Sequence, residues 1–264
     1  MDRLRLLTLS AVLFAATGAA TAQNGINIIE RNSLPDITAR VDAGIEIPLF
    51  DDFSFIANNE LRFRDNVSKI DRNYLLGGFS YETCDYFSID AAYIFMSVLT
   101  LDDASYKEHW ELRHRVYLDL KGKLELGRWN LSLTERPLVN IRPWGPDPMA
   151  LPKYEWLIRS KLQAEYEIPK TELSPFAFTE ISNTLNTGKY GGGPFVDRIR
   201  FCLGLAWEVS DLSEIEIYYY FDIRNSRDVD FTHGSDGSIY GIFQTRKRQY
   251  IHVFGLSFNF SLED

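Results

Sequence analysis

The sequence predicts a closed antiparallel transmembrane β-barrel of about twelve strands, with ten as the alternative. Three observations lead there. Apolar and polar residues alternate with period two along almost the whole chain, the alternating segments are long, and short connections alternate with long ones. Segments of about 10 to 15 residues exceed the ~5 to 6 typical of globular strands and reach the roughly 9 to 11 that a tilted strand needs to cross a bilayer.

Composition narrows the field. The 264 residues carry a net charge of −9, with 45% apolar and 14% aromatic side chains, too apolar for a disordered chain. The acidic balance offers no basic stripe, which argues against nucleic acid as a partner. Two cysteines, Cys84 and Cys202, make no disulfide framework and are expected to be free. Mean hydropathy is −0.20, and beyond the N-terminal segment no apolar run nears the roughly 18 residues of a spanning helix. That excludes a helical membrane protein and leaves a barrel open, because a membrane strand needs only every second residue to be apolar.

Residues 1–22 read as a signal peptide. Arg3 and Arg5 precede an apolar run from Leu6 to Ala16, and Ala20-Thr21-Ala22 supplies small residues for cleavage before Gln23. The run is too short to span a membrane, so residues 23–264 are expected to form one exported barrel domain.

The strands follow in order. Ile26 to Glu30 is a short first one. Ile37, Ala39, Val41, Ala43, Ile45 and Ile47 share one parity against Asp36, Thr38, Arg40, Asp42, Gly44 and Glu46. Phe53, Phe55, Ala57, Leu61 and Phe63 repeat the pattern, and Asn73 to Tyr81 and Phe87 to Phe95 continue it. It is sharpest where Trp110, Leu112, Val116, Leu118 and Leu120 alternate with Glu111, Arg113, Arg115, Tyr117, Asp119 and Lys121. Trp129 to Leu133, Trp156 to Ile168, Ile199 to Val209 and Ile215 to Ile223 come next, and the chain closes on Val253 to Phe260. No segment holds a helical period.

Connections around Pro48 to Asp52, Thr83 to Tyr86, Gly122 to Gly127, Pro169 to Glu172 and Ser210 to Leu212 are short. Those near Leu99 to Tyr106, Val139 to Pro152, Leu185 to Pro194 and Asn225 to Thr245 are longer, with Asp65 to Lys69 the short exception. Outer-membrane barrels sort connections this way, with short periplasmic turns and longer extracellular loops. Trp110, Trp129, Tyr154, Trp156, Tyr166 and Trp207 sit near segment ends, where interfacial aromatic girdles belong. With both chain ends in the periplasm the strand number must be even. The clear segments number eleven with the stretch between the Pro169 to Glu172 and Leu185 to Pro194 connections, so Ile26 to Glu30 supplies the twelfth strand.

Near the chain end, Gly255, Phe258 and Phe260 are spaced like the C-terminal signal that the barrel-assembly machinery of bacteria recognises, with Ser261 to Asp264 following it. The stretches Asn59-Glu60-Leu61-Arg62-Phe63-Arg64, Glu111-Leu112-Arg113-His114-Arg115, Leu133-Thr134-Glu135-Arg136, Phe178-Thr179-Glu180-Ile181 and Asp197-Arg198-Ile199-Arg200 add a resemblance. In this order they resemble the exported bacterial family known as domain of unknown function 2490, over nearly all of the mature chain. The resemblance implies a β-barrel of the Gram-negative outer membrane, surrounded by lipid and lipopolysaccharide, and implies no activity.

Function rests on the polar parity. It carries Glu60, Arg62, Arg64, Glu111, Arg113, Arg115, Arg136 and Arg159, then Lys161, Glu180, Arg198, Arg200, Glu216, Asp222 and Arg224. Alternation alone does not tell inside from outside. If this parity lines a lumen, opposite charges across a narrow bore pair, since an unpaired charge away from water is costly. The expectation is a porin-like barrel with a narrow, salt-bridged lumen, structural or passing small solutes or ions, in which charge rings would sort ions. A wide pore is not expected.

The alternative is an outer-membrane lipid hydrolase with a Ser/His site on the barrel wall. Ser97 and His114 share the outward parity near the loop end, with no third residue to orient them. His252 shares the parity of Phe258 and Phe260, which would turn it to lipid. His233-Gly234-Ser235 lies in a Gly-rich loop, and Asp228, Asp230 and Asp236 lack the spacing of a calcium loop. No nucleotide loop, zinc ligand set or nucleophile elbow is present, so no cofactor or metal is expected and an enzyme is the lesser reading.

Overall fold

The computed structural model describes residues 26–32, 35–101, 108–143, 151–191, 195–233, 235 and 239–262. The expected signal peptide at 1–22, Gly234 and residues 236–238 lie outside the described residues. Those described contain no helix and twelve strands: β1 (Ile26–Asn32), β2 (Asp36–Phe50), β3 (Phe53–Arg64), β4 (Lys69–Cys84), β5 (Phe87–Leu101), β6 (Glu108–Leu126), β7 (Trp129–Ile141), β8 (Tyr154–Tyr166), β9 (Leu173–Thr184), β10 (Val196–Ser210), β11 (Ser213–His233) and β12 (Ile239–Ser261).

From β2 to β12 each strand pairs antiparallel with the next, and β12 pairs with β2 to close a ring of eleven. Hairpin neighbours alternate in direction, so an odd ring can only meet itself in parallel. β12 does run parallel to β2, from Ile251 opposite Asp36 to Ser261 opposite Glu46.

Three expectations are corrected by this seam. The closure is parallel, so the barrel is not antiparallel throughout, and the ring holds eleven strands instead of twelve or ten. The physical reason is β1. It forms, but parallel to β12, with Ile26 opposite Ile242 and Asn32 opposite Arg248. β1 and β2 therefore lie end to end along one edge of β12, their registers one residue apart, and share a single place at the seam. The described residues consequently begin and end at opposite rims. β1 starts beyond the rim that carries the longer connections, and Ser261 lies at the rim of tight turns.

The tight rim holds the two-residue turns 51–52, 85–86, 127–128 and 211–212, together with 167–172. Gly127 takes the first central position of its turn with φ 69°, the left-handed conformation that a primed hairpin turn requires and glycine adopts without strain. At the other rim lie the strand ends that flank 65–68, 102–107, 142–153, 185–195 and 234–238. Beyond Arg224, opposite Arg198, β11 leaves β10 and rises with β12 as its strand partner, so this hairpin stands clear of the ring. The 185–191 stretch leans on it. Gln244 Nε2 donates to the Tyr190 carbonyl at 3.2 Å, Arg227 donates to the Gly191 carbonyl, and the Tyr190 and Phe231 rings meet edge-on at 5.9 Å.

Contacts that skip a strand decide which parity faces inward. Arg40 of β2 lies over the Tyr220 ring of β11, 4.9 Å from its centroid, across the intervening β12. Arg115 of β6 reaches the Tyr74 ring of β4 at 5.6 Å, across β5. Only the concave face of a closed sheet brings such side chains together, so the charged parity is the inner one. The apolar parity faces out and is exposed, with Leu203 at 67% and Ile217 at 62%. Large apolar side chains are exposed on every ring strand except β3. Trp110, Tyr154 and Trp156 stand at the outer wall near the loop rim, and Trp129, Tyr166 and Trp207 near the turn rim, where the Trp129 and Tyr166 rings are 4.9 Å apart.

The interior is not wholly polar. Ala92, Ile94, Met96 and Val98 of β5 pack on Tyr74, Tyr117, Leu138 and Leu157 inside one half of the ring. Phe176, Cys202, Ala206, Tyr220, Ile251 and Val253 fill part of the other. Two glycines make room for rings within the lumen. A Cβ at Gly255 would collide with Tyr218, and one at Gly204 with Phe176, each ring belonging to the residue directly opposite on the neighbouring strand.

Candidate functional site

Every residue of the charged parity projects from a strand, so its position is set by the ladder and its partners by register. Three ionic groups result. In the first, Glu180, Arg200 and Asp222 are direct partners across β9, β10 and β11. Arg200 Nη1 lies 2.9 Å from Glu180 and Nη2 3.8 Å from Asp222, while Arg198 at 3.6 Å and Arg224 at 3.3 Å also converge on the fully buried Asp222. In the second, Glu60 accepts from Arg62 in a two-pronged contact and meets Arg40 at 3.3 Å. In the third, Arg136 grips Asp119 with both prongs, Lys121 pairs with Asp90, and Ser80 donates to Asp90 at 2.8 Å.

Aromatic faces tie the groups together. Arg200 and Arg40 flank Tyr220, Arg62 lies 4.3 Å from the Tyr74 centroid, and Arg136 lies 4.1 Å from that of Tyr117. Each guanidinium thus has a carboxylate at its edge and a ring at its face, geometry suited to a planar delocalised cation. Further polar contacts line the loop rim. Arg113 meets Glu111 at 2.6 Å, Arg64 meets Glu108 at 3.5 Å and Asp71 at 3.9 Å, and Arg115 donates to Asn140 at 2.7 Å. Asn140 in turn donates to Glu155 at 2.8 Å, and Arg142 reaches the same carboxylate at 3.0 Å.

All fifteen side chains singled out from the sequence project from the inner parity of their strands. The structure joins Glu60 with Arg62, Glu111 with Arg113, Glu180 with Arg200, and Asp222 with Arg198, Arg200 and Arg224. Glu216, Arg159 and Lys161 enter no ion pair among the described residues; Lys161 instead lies 4.5 Å from the Phe178 ring centroid. Sequence reasoning did not single out Arg40, Asp90 and Asp119, each of which forms an ion pair in these groups. Parity alone marks them, since each shares the face of its strand's other charges. A cavity of about 270 Å³ lies within the ring between these groups, bordered by Arg136, Arg159, Lys161, Glu180, Arg200 and Tyr220 among others.

On the outer wall, Ser97 stands opposite Leu112 and His114 opposite Phe95, diagonal to one another. No hydrogen bond joins the two, and His114 Nδ1 is held instead by the Tyr93 hydroxyl. His252 faces out and has a partner there, the Tyr219 hydroxyl at 2.8 Å, with the Tyr219 and Phe221 rings beside it. Cys84 is exposed at the end of β4 and Cys202 is buried on the lumen side; both are free. Among the described residues no three His, Cys, Asp or Glu side chains gather as a metal ligand set. Of the chain-end signal, Phe258 and Phe260 lie on the outer parity and Gly255 on the inner one beneath Tyr218.

No curated protein matches the chain. A family model described as Protein of unknown function (DUF2490) matches residues 41–232, which runs from within β2 almost to the end of β11 and takes in the three ionic groups apart from Arg40. The resemblance carried by the Glu- and Arg-bearing strand motifs is thereby substantiated over most of the ring, and the chain belongs to the DUF2490 family.

Proposed function

We propose that this protein is a Gram-negative outer-membrane β-barrel whose narrow lumen is crossed by ion pairs and passes at most small solutes or ions. The support is the inversion of the wall, with large apolar side chains outward and exposed while the charged ones are inward and most of them paired. A soluble protein rarely leaves more than a few hundred Å² of continuous apolar surface to water, and here such residues follow one another around the ring. Spacing supports the same reading. Trp156 and Tyr166, on β8, are ten residues apart. That is about 33 Å along the strand and, at a tilt near 40°, about 25 Å along the barrel axis, the height of an outer-membrane apolar band.

In this reading the tight turns are periplasmic, the longer connections extracellular, and lipopolysaccharide and phospholipid are the solvent of the outer wall. The segment 1–22 directs export, and the last strand with Gly255, Phe258 and Phe260 is what the assembly machinery reads. The lumen argues for a narrow path because its bidentate Arg–carboxylate pairs and internal apolar packing occupy the bore. The testing experiment is expression in a Gram-negative host followed by membrane fractionation, a gel comparing unheated and boiled samples, and planar-bilayer recording. Outer-membrane recovery, a heat-dependent mobility shift and only small conductance are expected. A water-soluble protein whose mobility ignores heating would end the barrel reading, and large open conductance would end the narrow one.

A further inference from the structure

We propose that the lumen contains a binding site for a small oxyanion, with Arg159 and Lys161 of β8 as its principal ligands and Arg136 beside them. The proposal rests on the reading of the lumen as a narrow solute path and names the class of solute that dwells there.

The charge arithmetic of the ring points to it. Glu60 is shared by Arg40 and Arg62, Asp119 is held by both prongs of Arg136, and Asp222 is shared by three arginines. Glu180, the carboxylate opposite Lys161 in register, is engaged by Arg200 at 2.9 Å. Glu216, a carboxylate on the border of the same cavity, is in no ion pair among the described residues and does not come within ion-pair distance of either β8 cation. Arg159 stands directly opposite Arg136, an arrangement of like charges that cross-strand pairing disfavours. Its buried Nε has no hydrogen-bond partner, and neither Arg159 nor Lys161 has a carboxylate within ion-pair distance among the described residues. A cation withdrawn from bulk water without a counter-charge is costly, so a fold that places two side by side calls for an anion from outside the chain.

The space in front of them suits one. The cavity of about 270 Å³ is bordered by five cationic side chains, Arg40 and Arg200 joining the three named, against the carboxylates Asp42, Glu180 and Glu216. At ~30 Å³ per water it holds about nine waters, enough for an oxyanion that keeps part of its hydration. Thr134, Gln163 and Ser257 add neutral donors to its border. A guanidinium fork beside an ammonium matches the several acceptor oxygens of such an ion better than it matches a halide.

The test uses the full-length folded barrel in detergent, with the unheated gel band as the check of fold. Inorganic phosphate is titrated calorimetrically against chloride at equal ionic strength. Saturable phosphate binding is expected, weakened about tenfold or more by Arg159→Gln and by Lys161→Gln, as loss of a charge-assisted contact implies. In phosphate-free buffer both variants are expected to melt no lower than the parent, because each relieves cation repulsion. Absence of saturable binding above chloride, or equal binding by both folded variants, overturns the proposal. So does a fall in melting temperature in phosphate-free buffer as large as that caused by Arg200→Ala, which would make these cations structural partners. If Arg159→Gln fails to fold, Lys161→Gln decides alone. A heat-modifiable barrel that ignores phosphate sinks this site and leaves the barrel reading standing.

Discussion

Replacing Arg200 by Ala should damage the barrel more than any rim substitution, and the contacts say by how much. The guanidinium donates to Glu180 at 2.9 Å, sits 3.8 Å from Asp222 and lies over Tyr220 at 4.6 Å, with little of it exposed. Its loss leaves Asp222 with Arg198 and Arg224 but strips Glu180 of its ion-pair partner. Removing one member of a buried pair costs about 3–5 kcal/mol, most of it from the charge left behind. Lys123, paired with Glu82 at 3.3 Å on the exposed turn rim, is the internal comparison, with an expected cost of about 0–1 kcal/mol on replacement by Ala. Removing both charges, as Arg200→Met with Glu180→Met, is expected to cost less than Arg200→Ala alone. The assay is urea unfolding of the barrel in phospholipid vesicles, followed by tryptophan fluorescence and by the heat-dependent gel shift. An Arg200→Ala variant no weaker than Lys123→Ala, or a double variant whose cost equals the sum of its parts, would refute the view that these pairs hold the lumen together.

The same unfolding assay reads three further expectations. Leu203→Arg places a charge on a highly exposed, mid-strand apolar position of the outer wall and should cost about 2–4 kcal/mol in a bilayer. A change within about 0.5 kcal/mol, usual for a solvated surface, would contradict a lipid-facing β10. Gly255→Ala should cost about 1–3 kcal/mol by driving a methyl group into the Tyr218 ring, while Gly77→Ala, with open space around it, should cost far less. Tyr219→Phe should cost about 1–3 kcal/mol by orphaning His252, and adding His252→Leu should recover most of it. Failure of that recovery would show that His252 contributes something beyond its pairing with Tyr219.

Much of the architecture was legible because it has a one-dimensional signature. Period-two alternation located the ring strands except β9, which only its flanking connections bracketed, and the sorting of connection lengths located the two rims, with Asp65 to Lys69 short at the rim of longer connections. The seam was not legible. A strand at Ile26 to Glu30 was rightly expected, but its direction depends on which end of β12 it meets, and nothing local encodes that. Nor was the apolar cluster inside β4 to β8. β5 is apolar on both parities, Tyr93 and Phe95 outward and Ile94 and Met96 inward, so alternation fades where the wall is greasy on both sides. In the site, the charges were legible by parity but their partners were not. Pairing follows from register, which brings Glu180 to Arg200 and leaves Arg159 facing Arg136. Gly255 shows the same limit. Its place in the chain-end motif was visible, while the ring that requires a glycine there belongs to Tyr218, thirty-seven positions away in sequence.

The central claim is that the apolar parity faces lipid and the charged parity faces the lumen. Spin labels placed singly from Ile199 to Trp207 on β10, in a variant lacking Cys84 and otherwise free of Cys202, test it directly when collision with oxygen and with a water-soluble nickel chelate is measured in lipid vesicles. Oxygen collision is expected to peak at 199, 201, 203, 205 and 207 and to fall at 200, 202, 204 and 206. The opposite phase, or chelate access to position 203 as high as at the exposed turn rim, would contradict the account.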